Sequence, residues 1–125
     1  MSNAFVIHIH SGYGHTHYDL MLQHGKALAT WQLTQPPIRL ACGQSLPARR
    51  LPDHRTAYLA YEGPVSGNRG HVTSLDRGEY QLLDDSETRW EFSLAGQALR
   101  GRFELLRLAT PSPDGSDWLF RRLAD

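Results

Sequence analysis

Short stretches in which apolar and polar residues alternate occupy most of the chain, and glycine, proline or aspartate separates one stretch from the next. Within residues 89–94, for example, Trp90, Phe92 and Leu94 alternate with polar neighbours. Because successive side chains of a strand point to opposite faces, this pattern predicts a strand with one apolar face. The same reasoning predicts strands at residues 5–10, 17–22, 27–33, 57–61, 71–75, 79–83, 99–108 and 118–121. Many short strands separated by turn signals indicate a compact antiparallel barrel or sandwich.

Turn-forming residues set the expected boundaries of these strands. Pro36 and Pro37 are expected to end one strand, and residues 38–50 to form a long loop or a frayed short helix. Turns are also predicted at residues 52–54 and 76–78, because each combines aspartate with proline or glycine. The side chains expected in the core include Trp31, Trp90, Phe92, Leu105 and Trp118.

Four of the seven histidines fall within residues 8–17. His8 and His10 precede a glycine-rich turn, and His17 and Asp19 follow it. Two strands joined by this turn can bring His10, His17 and Asp19 to one point, since residues two apart on a strand share a face. Two imidazoles and a carboxylate are typical ligands of a transition metal. The segment therefore predicts a metal site, and a solvated polar strand face is the alternative interpretation.

Composition and charge narrow the class of protein. The 125 residues suit one domain over residues 1–125, and 13 basic residues balance 13 acidic ones, so no net positive field attracts nucleic acid. A local patch of Arg49, Arg50 and Arg55 stays possible. The single Cys42 excludes an intramolecular disulfide and favours a reducing compartment. Without a membrane-length apolar stretch or a signal-peptide pattern, we expect a cytoplasmic protein with no membrane partner.

His54 and Tyr58 form a second candidate pair. They are four residues apart, so a helical turn would place both side chains on one side. The alternatives are a surface histidine in a proline turn and a tyrosine that packs against the barrel.

The chain contains, in this order, the segments FVIHIH, HTHYDLML, TWQL, DHRTAYLAYEGPVSG, LDRGEYQLL, LRGRFELLRL and WLFRRL. Their content and order resemble the 3′-phosphoesterase domain of bacterial DNA ligase D, and most closely its short stand-alone relatives. The resemblance spans nearly the whole chain. It implies a mainly β fold, a compact antiparallel β-barrel of six to eight strands with minor short helices.

The resemblance also implies a function and a set of site residues. His10, His17 and Asp19 correspond to the ligands of a divalent metal, expected to be Mn²⁺, with Zn²⁺ or another transition metal as alternatives. His54 and Tyr58 correspond to catalytic residues that act on the phosphate. The implied enzyme is a metal-dependent phosphoesterase that removes 3′-phosphates or 3′-ribonucleotides in DNA repair. Its partners would be DNA or RNA-primed DNA 3′ ends and other end-joining repair proteins.

Several positions depart from the family pattern. Met21 stands where the family has an arginine, and a methionine cannot hold phosphate oxygens with a guanidinium fork. This difference predicts that Met21→Arg raises activity about tenfold or more. Gln35 or a neighbour replaces a lysine, and His8 replaces a glutamine. One extra residue between His10 and His17 leaves His15 as an alternative ligand.

Two further functions follow from these departures. The first is a non-catalytic metal- or DNA-end-binding module that has kept the barrel but lost the chemistry. The second is a cupin-like small-molecule enzyme, which also uses histidines two apart on a barrel strand. No glutamate follows His10 or His17 at the spacing that the cupin pattern requires, and we rank this interpretation last.

Overall fold

The computed structural model describes residues 3–124 and consists almost entirely of strands. A single 3₁₀ turn, Thr56–Leu59, accounts for the helical residues in this part of the chain. The nine strands are β1 (Asn3–Ser11), β2 (His17–His24), β3 (Ala27–Leu33), β4 (Ser45–Arg55), β5 (Gly63–Pro64), β6 (His71–Asp85), β7 (Arg89–Gly96), β8 (Arg100–Arg107) and β9 (Trp118–Ala124).

Eight of these strands form a closed antiparallel barrel. Neighbouring strands follow the order β1-β2-β3-β4-β9-β8-β7-β6, and β6 pairs back with β1 to close the ring. The two-residue β5 adds to one end of β6 and lies outside the ring. The predicted mainly β barrel of six to eight strands is therefore confirmed.

The barrel interior holds the main hydrophobic core. All five side chains expected there are buried: Trp31, Trp90, Phe92, Leu105 and Trp118. A second, smaller cluster consists of Val6, Met21 and Leu28, on the opposite face of β1, β2 and β3. The 3₁₀ turn covers this outer cluster with Tyr58 and Leu59. Each of the first three strands therefore contributes apolar side chains to the barrel interior and one apolar side chain to the outer cluster.

Two predicted turns lie inside strands. Residues 76–78 belong to the continuous strand β6, although Asp-Arg-Gly is a common turn sequence. The Asp76 carboxylate is buried and accepts hydrogen bonds from the backbone N–H groups of Gln97, Ala98 and Leu99. Asp76 thus stabilises the turn between β7 and β8, and the turn predicted at residues 76–78 does not form.

Residues 52–54, the other predicted turn, lie within β4. Leu51 pairs with Thr30 and His54 with Leu28, so Pro52 and Asp53 together oppose a single residue of β3. This is a β-bulge, a place in a sheet that tolerates proline.

The remaining differences from the sequence predictions are local. Residues 57–61, expected to be extended, include most of the 3₁₀ turn, and β4 takes up the second half of the expected loop at residues 38–50. Residues 1, 2 and 125 lie outside the described part of the chain, and the single domain over residues 1–125 stays a prediction. Within residues 3–124 the structure contains no helix long and apolar enough to span a bilayer.

Candidate metal centre

The hairpin of β1 and β2 places the predicted metal ligands side by side. His10 pairs with His17, and His8 pairs with Asp19. Directly paired residues of an antiparallel ladder lie on the same face of the sheet. This face also carries Val6 and points away from the barrel interior.

Three side chains of this face converge. The Nδ1–H of His17 donates to Asp19 Oδ1 at 2.8 Å, and His10 Nδ1 lies 3.8 Å from Asp19 Oδ2. One ligand atom from each residue lies within 4.8 Å of those of the other two. The Asp19 carboxylate is buried, whereas the two histidines are partly exposed. A nearly enclosed carboxylate with two accessible imidazoles suits a divalent transition metal.

A backbone carbonyl determines which ring nitrogen of His10 carries the proton. The Nε2–H of His10 donates to the carbonyl oxygen of Arg69 at 2.6 Å. Because a carbonyl can only accept, the proton of the neutral ring sits on Nε2 and the lone pair on Nδ1 faces Asp19. Such a second hydrogen bond commonly orients a metal-binding histidine. His15, the alternative ligand, is exposed in the turn and lies outside the converging group among the described residues.

His8 belongs to the same site, which the sequence did not predict. It is 1% exposed, and its Nε2 has no hydrogen-bond partner among residues 3–124. Burial lowers the pKa of His8 from its ordinary value of 6.5; Asp19 opposes this effect and Arg77 adds to it. The ring is therefore a neutral, unsatisfied polar group beside the candidate metal ligands. The sequence signal that could have placed His8 in the site is its position two residues before His10 on an alternating strand, which puts both side chains on one face.

A cavity of about 120 Å³ adjoins the converging ligands. Its lining includes His10, Asp19, His54 and Tyr58. The ring centroids of His54 and Tyr58 are 5.7 Å apart, and the Nδ1–H of His54 donates to the Pro52 carbonyl at 3.0 Å. The Nε2 of His54 is thus the nitrogen that is left to contact a ligand.

The bulge in β4 explains why His54 is on this face. Leu51 and His54 are three residues apart, and strict alternation would place them on opposite faces. The extra residue of the bulge reverses the alternation, so His54 lies opposite Leu28, on the outer face of β3. The 3₁₀ turn that follows directly then brings Tyr58 toward the same cavity.

The three arginines expected near His54 do not line this cavity. Arg49 donates to the carbonyl of Asp114 and lines a separate cavity, which includes His15 and His17. The Arg50 guanidinium lies 4.2 Å from the centre of a Trp31 ring, on the barrel-interior side. Arg55 lines a neighbouring cavity that shares Tyr58 with the first.

Two other arginines approach the site instead. Arg69 lines the cavity, and its side chain bonds Ser66. Arg77 pairs with Val6 on the outer face and acts electrostatically on His8. Both depend on the pairing of β6 with β1, a contact between distant parts of the sequence. Nothing near them in sequence marks them as site residues.

Met21 lines the cavity but is also 1% exposed and packed in the outer apolar cluster. The expected gain in activity from arginine at this position depends on the phosphate contact alone and not on the packing of the side chain. The packing argues for the opposite sign, since a guanidinium would have to displace apolar neighbours, and the effect of this substitution stays a prediction.

The geometry can be compared with known families. A family model described as DNA Ligase D 3′-phosphoesterase domain matches residues 8–107 of the chain. A search of the curated proteins found no match. The matched range contains the converging ligands, the cavity, the bulge and the 3₁₀ turn, so the likeness covers the whole candidate site. The chain therefore belongs to the DNA ligase D 3′-phosphoesterase domain family.

Proposed function

We propose that the protein is a metal-dependent phosphoesterase that processes the 3′ ends of DNA, removing a 3′-phosphate or a 3′-ribonucleotide. One observation carries this proposal. His10 and Asp19, two members of the converging group, line a cavity together with His54 and Tyr58 in a domain of the 3′-phosphoesterase family.

The residues present fit a divalent metal. Two imidazole nitrogens and a carboxylate oxygen form a mixed donor set that suits Mn²⁺ and Zn²⁺, and the unsatisfied Nε2 of His8 lies beside it. His10, His17 and Asp19 would hold the ion, which we propose to be Mn²⁺. When bound, the metal supplies Lewis acidity to a phosphoryl oxygen and to the attacking water.

The chain's own side chains account for binding and proton movement. The water oxygen forms a bond to phosphorus and releases a proton to solvent, the bond between phosphorus and the 3′ oxygen breaks, and that oxygen takes a proton. His54 Nε2, free of intramolecular bonds because Nδ1–H binds Pro52, is placed to give this proton. The Tyr58 hydroxyl orients a phosphate oxygen. The products are a 3′-hydroxyl and inorganic phosphate.

Binding of the phosphate cannot use an arginine at position 21 in this chain. Arg69 lines the cavity and Arg77 acts electrostatically on His8, so both supply positive charge on the outer face. We propose that they partly replace the missing guanidinium. The substrates would be DNA or RNA-primed DNA 3′ ends, in the cytoplasm and beside other end-joining repair proteins.

The test uses the full chain with Mn²⁺ and a primer–template whose primer ends in a 3′-phosphate. We expect release of phosphate and a primer that a polymerase can extend. His54→Ala should lower kcat at least about a hundredfold, the scale of general acid catalysis. His24→Ala, an exposed histidine at the other end of β2, is the matched control and should keep the wild-type rate.

Calorimetric titration with Mn²⁺ separates the metal site from the chemistry. Asp19→Ala should abolish Mn²⁺ binding, whereas His54→Ala should retain it. If the wild type binds Mn²⁺ and DNA ends but releases no phosphate, the protein is the non-catalytic binding module. Met21 in place of the family arginine is the observation that favours this second function.

A further inference from the structure

A second cavity of about 220 Å³ adjoins the candidate active site. Its lining is mostly aromatic and aliphatic, and its residues are Arg55, Ala57, Tyr58, Tyr61, Pro64 and Ser66. Tyr58 also lines the cavity beside the metal ligands. One tyrosine residue therefore lines both cavities, so the second cavity lies next to the one that adjoins the metal ligands.

The Tyr61 ring is held in place without being buried. It is 37% exposed, and its centroid lies 5.7 Å from that of Tyr58 at an interplanar angle of 86°. Its hydroxyl donates to the Pro64 carbonyl. Gly63 permits this contact, since its φ is +144° and a Cβ there would lie 3.1 Å from the Tyr61 hydroxyl oxygen. An exposed aromatic face with a fixed orientation loses little entropy when a flat ligand stacks on it.

The cavity also has a cation without an internal partner. The Arg55 side chain is exposed and makes no hydrogen bond or ion pair with any other residue in the range 3–124. Its guanidinium is therefore available to an anionic ligand. An apolar aromatic cavity with one free arginine matches a ligand that has a planar ring and a phosphate.

We propose that this cavity binds the nucleobase of the 3′-terminal nucleotide, with Tyr61 as the stacking surface and Arg55 contacting the neighbouring backbone phosphate. This inference rests on the proposed function, because it places the terminal phosphate beside His54 and the base beyond Tyr58. Stacking uses the face that all bases share, so the site distinguishes a base from no base but does not select one base.

The experiment compares two primer–templates that both end in a 3′-phosphate. One primer carries a normal terminal nucleotide, and the other carries an abasic terminal sugar. The wild type with Mn²⁺ should give a kcat/KM at least about fivefold higher on the base-bearing end, as expected for one aromatic stacking contact. The ratio should be similar for all four bases.

Variants assign the preference to the cavity. Tyr61→Ala should reduce the ratio toward one by lowering kcat/KM on the base-bearing end more than on the abasic end, whereas Tyr61→Phe should keep the ratio because it keeps the ring. Tyr13→Ala removes another exposed tyrosine, which lines none of the three cavities around the site, and should match the wild type. Arg55→Gln should lower kcat/KM on both ends equally. Tyr61 lies outside both apolar clusters, so Tyr61→Ala should fold normally.

A wild-type ratio of one, or a ratio in Tyr61→Ala equal to that of the wild type, would overturn the proposal. If the wild type processes neither end, the proposed function fails. A binding measurement then tests the base-binding cavity separately. Uridine 3′-monophosphate and ribose 3-phosphate are then titrated while the tyrosine ring resonances are followed by NMR. Tighter binding of the nucleotide that is lost in Tyr61→Ala supports the subsite, and equal affinities for the two probes refute it.

Discussion

Replacing Met21 with arginine tests whether packing or phosphate contact dominates at the point where this chain departs from its family. Met21 is 1% exposed, and its cluster partners Val6 and Leu28 are fully buried. Tyr58 and Leu59 of the 3₁₀ turn cover this cluster. An arginine side chain must therefore either enter the cluster or displace the turn.

The expected cost follows from this burial. Loss of a fully buried methionine costs about 1.5–3 kcal/mol, and a guanidinium taken from water adds several kcal/mol unless it is paired. Asp19, two residues earlier on the same face, can offset part of this cost. We expect a net loss of about 3 kcal/mol in the free energy of unfolding. Displacement of Tyr58 should also lower kcat/KM at least about tenfold.

Urea denaturation followed by tryptophan fluorescence measures this loss, because all three tryptophans are buried and Trp31 contacts both Trp90 and Trp118. With an m-value of about 1–3 kcal/mol/M, the midpoint should fall by about 1–3 M. Met21→Leu keeps the volume and should cost less than about 1.5 kcal/mol. Wild-type stability with a raised kcat/KM in Met21→Arg would refute this reasoning and restore the opposite expectation from the family pattern.

Three further predictions concern stability. Asp76→Ala should cost about 3 kcal/mol in urea denaturation, because four backbone N–H groups lose a buried acceptor, whereas replacing the exposed Asp114 with alanine should leave the midpoint close to that of the wild type. Burial raises the pKa of Tyr80 to about 12. The neutral phenol thus contributes about 2–3 kcal/mol to the free energy of unfolding, which is present below pH ~10 and lost as the pH rises through 12. Tyr80→Phe should flatten this decline in alkaline unfolding curves. Mn²⁺ at about a hundred times its Kd should stabilise the wild type by about 2.7 kcal/mol, and EDTA or Asp19→Ala should remove this gain in thermal melts.

The hairpin of β1 and β2 could be predicted because the residues that specify it lie close together in the sequence. Alternation placed His8 and His10 on one face, and the glycines between the strands supplied the turn. The barrel followed from the number of short strands, and its closure came from the family resemblance. The juxtaposition of His10, His17 and Asp19 then required only that the two strands pair in the shortest register.

The errors share one physical cause, which is that local turn signals were compensated by distant contacts. Asp76 bonds backbone groups about twenty residues away, so its turn chemistry acts elsewhere. Pro52 lies in a bulge, where the missing N–H is tolerated. Arg69 and Arg77 reach the site only because β6 pairs with β1, which strand patterns alone do not specify.

The bulge in β4 makes the number of residues between Leu51 and His54 decide on which face of the sheet His54 lies. Deletion of Pro52 or Asp53 alone would leave one residue between Leu51 and His54, as there is between their partners on β3, so regular pairing would still hold His54 on the outer face. Deletion of both would move His54 to the interior face while every strand kept its neighbours. Natural relatives one residue shorter here can thus retain the histidine, whereas those two residues shorter must have lost it from the cavity or recovered it by another insertion.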